Sequence, residues 1–397
     1  MDKERLRLSK VSQREISRST TQPYILRRKR HENAPAVKET EIKSEPIEEV
    51  KQIEKPVQNR VLPGRKPKHI RAKPRREQTP KKPTYQRDWK AYNQGQYNEY
   101  TYFNAYVSSL AATVEEPPRE KKAGRKPIPL RDLLTCAIIL SYRGLSGRRA
   151  QGVIQELYDN GYIDTAPSPT VIWRFMDNEN LSEILRVLIQ ISDTPAIAAE
   201  TRLAIDASGF RTTSYSDWFG EKHGYEKVNE WIKLHAIVGV ETNVIANAYV
   251  TDGHTHDNKM FKPLVEEVVQ QFTVTEVSAD KGYLARDNFN LCKDYGIRLF
   301  VPFKTSSTPA ARGSGEWTKM YYYALENPEE FKKHYHKRSN VETVFHMMKA
   351  TGQETIRSRK FRTQSNELYC KVICHNIRML IMLNATQGLE PEFVEFE

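Results

Sequence analysis

Cysteine is scarce in this chain. Four residues in 397 (Cys136, Cys292, Cys370 and Cys374) cannot staple a fold of this length, which excludes a disulfide-framed scaffold and suits a reducing interior. Long apolar runs are lacking as well. The most apolar stretch, VICHNIRMLIML, is interrupted by His375, Asn376 and Arg378, and the opening MDKERLRLSK has no apolar segment of signal-peptide length. Neither a membrane span nor a leader is therefore expected, and the reading is cytoplasmic. Negative charge is in short supply: 62 Lys and Arg face 50 Asp and Glu, a net +12. The imbalance is local, because residues 1–90 hold 26 basic and 12 acidic side chains (+14), which leaves −2 for the other 307. A basic arm on a nearly neutral body points to a polyanionic partner, most simply nucleic acid.

Residues 1–85 are rich in Lys, Arg, Glu and Pro without apolar periodicity, so they read as a disordered basic arm. Within it, Pro63-Gly64-Arg65-Lys66-Pro67 reads in two ways. Arg65 and Lys66 could lie along a narrow minor groove as in an AT-hook, or belong to a generic basic tail held by counterion release. Residues 86–198 read as a small all-α domain. PLRDLLTCAIILSYRG ends at Gly144, SGRRAQGVIQELYDNG opens on Ser146 and stops at Gly161, and SPTVIWRFMDNE opens on Ser168 with Pro169 at its first turn. Such a triplet suits a helix-turn-helix-like DNA-binding unit with Thr170 and Arg174 facing the groove. It equally suits a helical brace on the body.

Residues 199–390 alternate as strand, strand, strand, helix, strand, helix, strand, helix, with a hairpin across Thr242-Asn243. This is the order of a ribonuclease-H-like fold: α/β, a mixed five-stranded sheet with helices. Two aspartates sit at strand positions, Asp206 in LAIDASGF and Asp280 in VSADKGYL. Near the C-terminus, Tyr335, Arg338, Glu342 and Lys349 follow one another at offsets of three, seven and fourteen, which return to one face of a helix. One stripe would then carry a phenol, a guanidinium, a carboxylate and an ammonium. The plain alternative is an ordinary Arg338–Glu342 helix ion pair of about 0.3–0.5 kcal/mol.

The joint pattern resembles the DDE transposases of bacterial and archaeal insertion sequences, in the branch with the Tyr-Arg-Glu-Lys signature. The DKGY around Asp280 and the Trp89-x2-Tyr92-Asn93 start add to the resemblance, which covers about residues 88–385. It implies a catalytic domain in which the strands bearing Asp206 and Asp280 are neighbours. Asp206, Asp280 and Glu342 would hold two Mg²⁺ ions, with Mn²⁺ as a substitute. It also implies hydrolysis at the transposon end followed by attack of the freed 3′-hydroxyl on target DNA. Arg338, Lys349 and Tyr335 would contact the DNA backbone. The implied partners are double-stranded terminal inverted repeats and target DNA, bound by a homodimer.

Other readings stay open. His254, His256 and Asp257 in TDGHTHDN could bind Zn²⁺ as in a metallohydrolase, or simply turn a strand into a helix with Asp257 as cap. Cys370-x3-Cys374-His375 reads as the buried face of an amphipathic helix rather than a zinc site. Lys281 and Tyr283, beside the second acid, read as helpers or as packing residues. Trp231 and Trp317 could stack on a splayed base, with core packing the simpler role. A non-catalytic DNA-binding descendant of a transposase is the remaining alternative.

Overall fold

A mixed sheet lies at the centre of residues 86–396, with strands β1 (Arg202–Arg211), β2 (Trp231–Gly239), β3 (Ile245–Asp252), β4 (Glu276–Ala279) and β5 (Arg298–Phe300) in the order β3-β2-β1-β4-β5. The computed structural model describes residues 88–117, 124, 126–145, 147–212, 231–350 and 354–393. The basic arm with Arg65 and Lys66, and the capping Ser146, lie outside the described residues. β1 pairs antiparallel with β2 and β2 with β3, while β1–β4 and β4–β5 are parallel. The β2–β3 hairpin turns where expected. Asn243 takes φ 59 there, and the Glu200 carboxylate accepts the Glu241 and Thr242 amides at 2.7 and 3.1 Å.

Side chains alternate across the sheet with period two, so each strand feeds two cores. On one face Ala204, Phe210, Ala236, Val238 and Ile245 pack against α1 (Trp89–Ala111), α2 (Leu130–Arg143), α3 (Gly147–Asp159), α4 (Pro169–Phe175) and α5 (Leu181–Asp193) in a single cluster. On the other, Leu203, Ile205, Ile237 and Ala246 meet α6 (Phe261–Val268), α7 (Arg286–Asp294), α8 (Gly315–Glu326) and α9 (Pro328–Tyr335). The first cluster also takes in α10 (Ser339–Met348) and α11 (Phe361–Gln387). Element order and strand pairing are consistent with a ribonuclease-H-like sheet. The helical segment and the sheet share one core, so the packing shows no break near residue 198.

Three details depart from the sequence reading. The amphipathic helix expected around Cys370 is instead a central one, buried on nearly every side. It packs on α1, α2, α5 and β3, and its buried Asn376 bonds both the amide and the carbonyl of Ile245. A further helix, α5, buries Leu181, Leu185, Leu188 and Ile189. The stretch joining α3 to α4 runs over 160–168, longer than the three- or four-residue turn of a helix-turn-helix. Buried Asp132 holds that stretch by accepting the Asp164 and Thr165 amides, and Ser108 donates to the Tyr162 carbonyl. Gly144 ends α2 in a left-handed conformation (φ 58) that a side chain would strain. Ser168 sits at the start of α4, but its side chain makes no capping hydrogen bond.

Candidate active site

Asp206 and Ser208 lie on the β1 face that carries Ala204 and Phe210, the side on which α10 packs through Val341, Val344, Phe345 and Met348. In the parallel β1–β4 register Ile205 pairs with Ala279, so Asp280 leaves the end of β4 beside Asp206. Residues 74 positions apart thus become neighbours across two strands about 4.8 Å apart. The strand stops at Asp280 for a local reason. Its carboxylate accepts the Lys281 amide at 2.6 Å and caps a short 3-10 turn over Lys281–Tyr283.

Asp206 accepts its own following amide, Ala207, at 2.8 Å and a hydrogen bond from Arg338 Nη1 at 2.7 Å. Arg338 Nη2 donates to Glu342 Oε1, so one guanidinium ties the first acid to the third. Burial raises the Asp206 pKa above its ordinary value. The Ala207 amide and Arg338 oppose that rise, while Asp280 and Glu342 add to it. On Arg338, burial is outweighed by Asp206, Tyr335 and Glu342, and its pKa is raised. Asp206 and Arg338 are mostly shielded, whereas the Glu342 side chain is 56% exposed, so the two arms of the bridge are unequal.

Tyr335, Arg338, Glu342 and Lys349 do not share one continuous α-helix. Tyr335 ends α9, Arg338 closes a 3-10 turn (His336–Arg338), and Glu342 rides on α10, where Lys349 is the C-cap. The break has a tertiary cause. Glu276 on β4 binds His334 Nδ1 at 2.7 Å and Lys337 Nζ at 3.2 Å, pinning the turn to the sheet. The Arg338 guanidinium lies 5.9 Å from the Tyr335 ring centre. Lys349 Nζ donates to Ser208 Oγ at 2.8 Å and lies 5.1 Å from the Phe210 ring centre.

The remaining candidates fall elsewhere. Thr170 and Arg174 are exposed on α4, which packs on α2 and α3. The residues offered for zinc build a turn instead: Asp252 accepts the His254 and Thr255 amides, and His256 Nδ1 accepts from the Asn258 amide. His256 rather than Asp257 is the cap. Asp257 turns inward to Lys233 Nζ at 3.0 Å. Cys370 and Cys374 are free and buried. Trp317 is core, its Nε1 donating to the Thr308 carbonyl, whereas Trp231 is exposed with Arg211 over its ring. Tyr283 is fully buried, its pKa raised by burial and then by Asp206, Asp257 and Asp280.

Sequence reasoning missed Ser208, two residues after Asp206 in LAIDASGF. It also missed the Asp257–Lys233 pair. Neither leaves a local signal, because each contact joins distant strands or helices.

Among the described residues no three His, Cys, Asp or Glu side chains stand close enough to hold a metal ion. The expected cluster of Asp206, Asp280 and Glu342 is therefore gathered on one side of the sheet without being assembled as a ligand set. Arg338 lies between two of its members and supplies the cationic charge there. The donor set itself, all carboxylate oxygen, suits a hard divalent cation.

Residues 198–377 match a family model described as the transposase DDE domain. That match supports a DDE-class transposase. The matched stretch takes in β1 to β5 and α10, and with them Asp206, Asp280 and Glu342. A solved structure that also matches is the cryo-EM structure of the piggyBac transposase synaptic complex with hairpin DNA, at 12% identity and a TM-score of 0.32. The alignment covers 72% of this chain and 73% of that one. No helix among the described residues is long and apolar enough to cross a membrane.

Proposed function

We propose that this chain is a DNA transposase that cleaves strands at the ends of an insertion sequence and joins the freed 3′ ends to target DNA. The observation that carries the reading is the meeting of Asp206 with Asp280 across the β1–β4 register, with Arg338 spanning from Asp206 to Glu342. Asp206, Asp280 and Glu342 are the residues that would hold divalent metal, Mg²⁺ or Mn²⁺. Bound there, such ions would supply Lewis acidity for the attacking and leaving oxygens of an in-line displacement.

The chain's own residues have separate tasks. Three carboxylates gathered without a cation repel, by roughly 4 kcal/mol per pair about 4 Å apart at an effective dielectric of 20. Arg338 offsets that repulsion in the metal-free protein, and when a DNA phosphate arrives its fork can turn to the phosphate oxygens. Lys349, held by Ser208 on the same face, meets the backbone beside the cut, and Tyr335 donates a hydrogen bond to it. Thr170 and Arg174 on α4 add DNA contacts, and so do Arg65 and Lys66 of the basic arm. Double-stranded terminal repeats and target DNA are the partners, bound by a homodimer in the cytoplasm.

Duplexes taken from the DNA flanking the gene provide the test. The wild-type chain should nick them only when divalent metal is present, and Asp206→Asn, Asp280→Asn and Glu342→Ala should each abolish nicking while retaining end binding. Wild-type-like nicking by Glu342→Ala would sink the assignment. Binding without nicking by the wild-type chain would leave a non-catalytic DNA-binding protein.

A further inference from the structure

A cavity of about 680 Å³ opens between the end of α2, α4, the segment 354–359 and the start of α11, well apart from the acids. Its wall is basic. Arg143, Arg357, Arg359 and Lys371 line it against one carboxylate, Glu367. That carboxylate is already engaged: it pairs with Lys371 at 3.2 Å and accepts the Arg357 and Ser358 amides and the Ser358 hydroxyl. Among the described residues no acid pairs with Arg143, Arg357 or Arg359, so three cationic side chains face one space. Arg357 is held in place by donating to the Gly144 carbonyl. Trp173, 39% exposed on α4, provides a broad aromatic wall of the same cavity.

Like charges gathered around a cavity call for an anion, and an exposed indole beside them calls for a planar partner. A nucleotide unit has both. The cavity is also continuous with the strand that carries the first acid, because Ile356 donates to the Arg211 carbonyl at 2.7 Å and Thr355 bridges Arg211 in parallel. From Asp206 to Arg211 the strand runs roughly 17 Å at 3.3–3.4 Å per residue, the length of about five base-pair steps.

We infer that this cavity takes one nucleotide of a splayed DNA strand, its base stacked on Trp173 and its phosphates paired with Arg143, Arg357 and Arg359, about five steps from the cut. The inference rests on the proposed action on DNA but not on catalysis. Base–aromatic stacking tolerates any sequence, so an oligonucleotide of arbitrary sequence carrying 2-aminopurine reports it.

The test titrates the full chain, without metal, into such single strands and follows 2-aminopurine fluorescence. Trp173→Ala should weaken the stacked complex about five- to hundredfold, and Trp173→Phe should recover most of the loss. Arg359→Ala should weaken it too and lower the slope of log affinity against log salt by about 0.7, a change that a merely structural role would not produce. Equal fluorescence titrations for wild type and folded Trp173→Ala would overturn the inference. So would a free mononucleotide binding as tightly as the strand, which would make the cavity a cofactor site. The two readings fail separately. Metal-dependent nicking with no Trp173 dependence sinks only the cavity, and Trp173-dependent stacking without nicking sinks only the catalytic proposal.

Discussion

Arg338→Ala should be costly, and unequally so for its two partners. The Asp206 arm is a charge-assisted bond of 2.7 Å between side chains 17% and 21% exposed. Hydrogen bonds to charged groups contribute about 1.5–3 kcal/mol, and stranding a buried charge by removing its partner costs about 3–5 kcal/mol. Because some solvent reaches this pair, about 2–3 kcal/mol is expected. The Glu342 arm ends on a side chain 56% exposed, where ion pairs contribute under about 1 kcal/mol. Double-mutant cycles separate the arms: urea unfolding at pH 7 in chelator of wild type, Arg338→Ala, Asp206→Asn, Glu342→Gln and the two doubles. The Arg338–Asp206 coupling should reach about 2 kcal/mol and exceed the Arg338–Glu342 coupling at least twofold. Both should shrink when Mg²⁺ is added, since the ion competes for the same carboxylates. A coupling to Asp206 under about 0.5 kcal/mol, or one larger for Glu342, would refute the bridging role drawn from the geometry.

Two further outcomes follow from the buried titratable groups and from the arm. His375 is buried, donates through Nε2 to the Asn243 carbonyl at 2.9 Å, and has its pKa pushed down to about 4, chiefly by burial. A depressed folded-state value means its contribution is complete above the unfolded value of 6.5 and is lost as pH falls towards 4, up to about 3 kcal/mol. His235 is lowered to about 4 for the same reason, and His375→Gln should lose less thermal stability than wild type between pH 7 and 4.5. An unchanged pH profile in the variant would show that His375 is not the group titrating. Deleting residues 1–85, which carry most of the +14 excess, should flatten the dependence of log affinity on log salt by about 0.9 per lost phosphate contact. Catalysis on a saturating, pre-nicked end should survive the deletion, and an unchanged slope would give the arm a different partner.

The local sequence by itself determined most of the framework. Alternating apolar residues around LAIDASGF and IKLHAIVGVE specify strands, Asn243 supplies the positive φ of the hairpin, Asp88 caps α1, and Gly144 stops α2. Each is a short-range effect of backbone sterics or of one side chain on nearby amides, so a window of a few residues contains it. Asp206, Asp280 and Glu342 stand out in the sequence for a different reason: the spacing of Tyr335, Arg338, Glu342 and Lys349, with the DKGY around Asp280, forms a joint pattern that resembles one family. Tertiary structure decided the rest. The signature segment breaks into α9, a 3-10 turn and α10 because Glu276, some sixty positions earlier, anchors His334 and Lys337. α11 is buried nearly all round because helices and sheet close over it from both sides, which its own polar residues would not suggest. Ser208 meets Lys349 across 141 positions, and the arginine-lined cavity is assembled from three separate stretches. Such contacts exist only after the chain has collapsed, when burial and charge are set by neighbours that no local window contains.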